Sequence, residues 1–178
     1  KRDRSGQDSD AIKALLRKRA RVSALAGARL PMAIRLVERH RRERAIVFHE
    51  DINSANILAG ALQARGHRVG TYHSGLAMGF RQDNLRMFRA GEIDVLVTCR
   101  ALDEGVDVPD ARIAIIAAST ASVRQRVQRL GRVLRPSPSK QRATVYTIYA
   151  SKPEEDRLRR ESQRLVDLES LEWLKESS

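Results

Sequence analysis

The chain has 178 residues, 42% hydrophobic and only 4% aromatic, with a formal net charge of +12. That length suits one domain, or one domain with an appendage, whose core is filled mainly by small aliphatic side chains. No run of eighteen apolar residues supports a membrane span, no secretory or transit segment is evident, and the single Cys99 excludes an internal disulfide and a cysteine-based metal site.

One cysteine fits a reducing cytoplasm. The positive field favours polyanions, nucleic acid first, although an Arg-rich composition set by GC-biased coding gives the same balance. Lys1 in place of an initiator Met, and the polar Ser177-Ser178 end, read as the ends of a piece of a longer protein.

Residues 1–10 are polar and read as a linker, with Ser9-Asp10 placed to cap a helix running to about Ser23 around Ile12, Leu15, Leu16 and Val22. Pro31 opens a second helix with Ile34, Leu36 and Val37 on its apolar face and a charged end from Glu38 to Arg44. After Arg44 the rhythm changes. Ala45-Ile46-Val47-Phe48 is a continuous apolar run, as expected of a strand buried on both faces. A helix from Ser54 to Arg65 follows, stopped by Gly66, then a strand from Arg68 to Tyr72. A helix from Phe80 to Arg89 ends before Gly91, and strands follow at Ile93–Thr98 and Arg112–Ala117. A helix from Ala121 to Leu134, a fifth strand from Thr144 to Tyr149, and one long amphipathic helix from Glu154 to Lys175, carrying Leu158, Leu165, Leu168 and Trp173, complete the chain.

Strands alternating with helices at this spacing predict an α/β fold, a parallel sheet with helices on both faces. The expected division is a helical N-terminal extension or interlobe segment over residues 1–43, the sheet domain over 44–150, and a C-terminal helix over 151–178. Ligands of such sheets meet the loops at the carboxyl ends of the strands, which directs attention to His49–Asn53, His73–Gly79 and Cys99–Asp110.

On a helix at about 100° per residue, Val123, Val127, Leu130 and Leu134 form one stripe. Gln128, Arg132 and Arg135 fall together on nearly the opposite side, and Gly131 leaves one flank open to close approach. Converging guanidinium groups suit a phosphate, because they are always charged and donate in a planar fork. By composition alone such a run is a solvated basic face.

The pattern says more than the composition. Gln128-Arg129-Leu130-Gly131-Arg132-Val133-Leu134-Arg135 closely resembles motif VI of superfamily 2 helicases, QRxGRxxR, and looks most like the XPB-type DNA-repair helicases. Val95 to Pro109, with Thr98, Gly105, Asp107 and Pro109, resembles motif V, and Ala45 to Glu50 looks like motif IV. Tyr72-His73-Ser74-Gly75-Leu76, followed by Arg81 and Phe88, is similar to the segment after motif IV. The resemblance runs from Ala45 to Tyr149 and implies a RecA-like C-terminal lobe.

The resemblance assigns roles residue by residue. Arg132 and Arg135 become arginine fingers to the transferring phosphoryl group, and Gln128, Arg129, Gly105 and Asp107 lie by the nucleotide. Thr98, His49, Ser74 and Gly75 follow the nucleic-acid backbone, Ser74 and Gly75 through backbone N–H groups. His73 and His67 receive no chemistry, and no His/Asp/Glu spacing implies a metal site.

A complete motor also needs a phosphate-cradling loop, G-x-x-x-x-G-K-[ST], and an acidic pair to hold Mg²⁺. No segment here has the loop, and Asp103-Glu104 lies inside the motif V match. The resemblance therefore implies ATP with Mg²⁺ held mainly by an N-terminal lobe of the same polypeptide, nucleic acid as partner with DNA favoured over RNA, and no membrane. Two other readings stay open. One is a nucleic-acid-binding module that kept the fold and lost the motor. The other is a Rossmann enzyme, although His49 to Asn53 lacks the glycines such a turn needs.

Overall fold

A computed structural model describes residues 29–99, 111–118, 143–163, 170 and 172–174. The expected helices over residues 10–23 and 121–134 lie outside them.

Five strands form one sheet: β1 (Ala45–His49), β2 (Val69–Tyr72), β3 (Val95–Cys99), β4 (Ile113–Ile116) and β5 (Thr144–Thr147). Their order is β2-β3-β1-β4-β5 and every pairing is parallel. The uninterrupted apolar segments take the centre: β1, β3 and β4 are buried throughout. The mixed segments take the edges, where β5 begins with two exposed residues. This is the partition expected of a sheet covered on both faces.

Helices α1 (residues 29–39), α2 (Ile52–Gln63), α3 (Met78–Ala90) and α4 (Lys152–Ser162) accompany the sheet. The β1-to-β2 connection runs outward past β3, and the β2-to-β3 connection returns. Two crossovers of the same hand in opposite directions place their helices on opposite faces. Accordingly, α2 packs with Leu58 and Leu62 against Ala45, Val47, Val95 and Val97, and α3 packs with Phe88 against Ile46, Phe48 and Leu96. Alternate residues of one strand thus feed two cores.

Several boundaries differ from expectation, among them the start of α3, at Met78 and not at Phe80. Asp51 caps α2, its carboxylate accepting the Ser54 N–H at 2.7 Å, so the helix starts at Ile52 and not at Ser54. Helix α1, expected within the N-terminal extension or interlobe segment, buries Ala33 and Val37 in the same core as the sheet. The long C-terminal helix ends at Ser162, and residues 172–174 are not helical. A continuous helix would carry Trp173 about 20 Å from Arg159. Instead the chain returns, and the Arg159 guanidinium lies 4.1 Å over the Trp173 ring, which meets Tyr149 edge-on. Gly66 (φ 81°) and Gly91 (φ 77°) occupy the left-handed region, where helices α2 and α3 give way to β2 and β3.

Candidate nucleic-acid interface at the carboxyl edge of the sheet

Parallel pairing sends the loops after β1, β2 and β3 out of one edge. His49 lies opposite Cys99, and Thr98 lies opposite both Phe48 and Tyr72. Thus His49, Thr98, Ser74 and Gly75, scattered over fifty residues of sequence, end on neighbouring strands or in the loop that follows one. The other expected site residues, Gly105, Asp107, Gln128, Arg129, Arg132 and Arg135, lie outside the described residues.

Ser74 and Gly75 are exposed at the tip of the turn after β2. Leu76 donates its N–H to the His73 carbonyl at 3.1 Å, which closes that turn. Thr98 and His49, expected to follow a nucleic-acid backbone, have their side chains turned inward. Thr98 is fully buried and its hydroxyl donates to the Val47 carbonyl at 3.2 Å. His49 is 4% exposed, and its Nδ1 accepts the Asp51 N–H at 3.0 Å. Strands covered on both faces turn each side chain into one core or the other, and these two follow that rule up to the strand ends. His49 shapes the start of α2; it does not present a group to solvent.

The imidazoles at this edge are held neutral. Burial pushes the His49 pKa below its usual 6.5, opposed by the Asp51 and Glu50 charges and assisted by Arg29. Burial likewise lowers the His73 pKa, with the Arg81 charge adding to the effect. The Ser54 N–H lowers the Asp51 carboxyl, which strengthens the cap. On the far side of the same edge, Arg29 pairs with Glu154, whose other oxygen accepts the Ala150 N–H at 2.9 Å. Burial raises the pKa of Glu154, but this N–H and Arg29 outweigh it and leave the carboxyl below its ordinary value.

Sequence reasoning gave His73 no chemistry and did not single out Asn56. His73 is 3% exposed, and its Nε2 lies 3.0 Å from the Asn56 Oδ1 of α2. Since that oxygen only accepts, Nε2 carries the proton. No spacing in the sequence brings a loop histidine to a helix on the opposite side of its own strand. Arg81 stands with its guanidinium 5.8 Å from the Tyr72 ring centre, within cation–π range. Among the described residues, no three His, Cys, Asp or Glu side chains converge where a metal ion could be held. No helix among them is long and apolar enough to cross a membrane.

An open parallel sheet whose polar loops gather at the carboxyl edge is the working arrangement of RecA-like lobes, and the comparisons agree. The model of the helicase conserved C-terminal domain matches residues 28–137, and the chain belongs to that family. It is 37% identical over 100 residues to the DNA 3'-5' translocase XPB2 of Sulfurisphaera tokodaii, covering 56% of this chain and 22% of the relative. It is 33% identical over 101 residues to the ATP-dependent RNA helicase dbp8 of Emericella nidulans, covering 57% and 19%. Its fold superposes on the C-terminal domain of S. cerevisiae Dbp5, solved with Gle1 and IP6, with a TM-score of 0.66 at 20% identity, covering 81% and 82% of the two chains. The chain spans about a fifth of the length of the curated relatives it matches.

Proposed function

We propose that this chain is the second motor lobe of an ATP-driven superfamily 2 translocase or helicase acting on DNA. The observation that carries the reading is the shared edge: the segments similar to motifs IV and V and the loop after motif IV leave neighbouring parallel strands. The choice of DNA rests on the relative named as a DNA 3'-5' translocase; the RNA helicase at 33% identity favours the other polymer.

In this reading Arg132 and Arg135 face the γ-phosphate of ATP, which with Mg²⁺ is held mainly by the N-terminal lobe of the same polypeptide. Gln128, Arg129, Gly105 and Asp107 line the nucleotide side of the cleft. The two guanidinium groups stabilise charge on the transferring phosphoryl group and draw the lobes together while it is present. Once it has left, the attraction is gone and the cleft opens, a two-state element biased by ligand contacts. The turn at Ser74 and Gly75 holds the backbone of the strand through each cycle.

The test is an ATPase assay with DNA and with RNA. The complete protein turns over ATP faster with DNA, and the 178-residue chain alone has negligible activity. Robust turnover by the chain alone overturns the half-site reading. Nucleic-acid binding by the complete protein without ATP turnover supports instead a binding module that has lost the motor.

A further inference from the structure

A histidine in a turn after an edge strand is ordinarily half exposed. His73 is 3% exposed, and its Nδ1 is buried without a hydrogen-bond partner among the described residues. The ring is not loose, because Nε2–H is tied to Asn56 on α2 at 3.0 Å. On the other side it meets Gly75. A Cβ added there would lie 3.1 Å from Nδ1, 3.3 Å from Cε1 and 3.6 Å from the Ile52 Cδ1. Gly75 is not among the glycines with positive φ, so it is needed for space and not for backbone conformation. The turn therefore rests its backbone directly on the imidazole.

What rests there is unfinished. The Leu76 N–H is folded back onto the His73 carbonyl, while the N–H groups of Ser74 and Gly75 have no acceptor among the described residues. Helix α3 begins at Met78, four residues after Ser74, with Ala77 as its cap residue. That residue offers no side-chain hydrogen bond, and the first turn has no acid. Free N–H groups at the start of a helix with a cation close behind, here Arg81, suit a phosphate. A buried polar atom left without a partner is rare and destabilising, and it calls for a reason. Replacing the imidazole by an apolar side chain would remove the bare nitrogen, but it would also remove the rigid prop tied to α2.

We propose that His73 is the positioning residue of a phosphodiester-binding turn: anchored on Asn56 and pressed against Gly75, it sets the height at which Ser74, Gly75 and the start of α3 meet the nucleic-acid backbone. His73 touches no ligand itself. It joins the loop after β2 to the helix that follows β1, so the two move as one. The inference rests on the reading that this turn lies along nucleic acid.

The test measures binding of a labelled single-stranded oligonucleotide to the 178-residue chain over a range of salt. His73→Gln and Gly75→Ala each weaken binding about tenfold, the loss of one charge-assisted hydrogen bond. The slope of log K against log salt stays as in the wild type, because neutral backbone N–H donors release no counterion. Circular dichroism spectra of the variants coincide with wild type, which separates lost positioning from a fold defect. Combined with His73→Ala, the Gly75→Ala substitution has no further cost, because the ring it would strike is absent. If His73→Gln does not fold, Gly75→Ala decides alone. Wild-type affinity in the folded variants overturns the positioning role and leaves the nucleic-acid reading intact. Absence of binding by the wild-type chain overturns both.

Discussion

The two edges of the sheet are built differently. Helices α1, α2 and α3 end at the amino edge, where their last carbonyls lack partners within the helix. Arginines supply donors there. Arg65 donates to the Ala61 carbonyl, Arg41 to the Arg65 carbonyl, and Arg44 to the carbonyls of Phe88 and Arg89. Arg68 grips Asp94 with two nitrogens, and His67 meets Glu38 at 2.9 Å. The carboxyl edge is left incomplete. Among the described residues, His49 Nε2 and His73 Nδ1 are buried there without a hydrogen-bond partner. Part of the +12 charge thus closes helix ends, and its sign alone says little about where a polyanion lands. The edge with unmet polar groups says more.

That contrast can be broken or sharpened by experiment. The largest effect belongs to the carboxyl side of the cleft. In the complete protein, Arg132→Ala or Arg135→Ala lowers kcat about a thousandfold or more, while ATP binding survives better. Wild-type turnover in both variants removes these residues from the site.

The amino edge gives a smaller effect of a different kind. Arg44→Ala removes a side-chain donor to the Phe88 and Arg89 carbonyls at the end of α3 and a cation 6.0 Å from the centre of the buried Phe88 ring. It lowers stability by about 1–2 kcal/mol, read as a lower urea midpoint. Nucleic-acid affinity stays within the change expected for one distant charge. A loss of binding as large as that of the turn variants would erase the distinction between the edges.

The smallest effect is a pH dependence. His49 and His73 are buried neutral, with folded-state pKa values below the ordinary 6.5. The unfolded chain therefore takes up protons first as the pH falls. Their contribution is intact above 6.5 and is lost as the pH drops from there towards the folded values. The paired carboxylates, with ordinary values of 4.5 or less, act in a lower window. The urea midpoint accordingly falls between about pH 7.5 and about pH 5.5, and falls less in His73→Gln. An unchanged midpoint would show that neither imidazole is held neutral by the fold.

Much of the lobe was legible in the sequence because it depends on local pattern. The run from Ala45 to Phe48 could only be a strand covered on both faces, and Gly66 and Gly91 marked helix ends. The site was legible only in part. Ser74 and Gly75 were recognised as an exposed polar turn, and they are one. Thr98 and His49 stood at the right strand ends, but pattern does not tell which strand ends turn their side chains into a core. The continuous helix to Lys175 failed because periodicity cannot register a tertiary contact such as Trp173 on Arg159.

By itself the sequence determined the alternation of strands and helices, the parallel sheet and the family, since each rests on the apolar period or on motifs of adjacent residues. Tertiary structure alone decided that His73 of one loop stands on Asn56 of a helix seventeen residues earlier. The reason is physical. Parallel pairing of β1 and β2 with β3 brings their carboxyl ends to the same edge, and a contact between two such ends depends on that pairing and on no spacing along the chain.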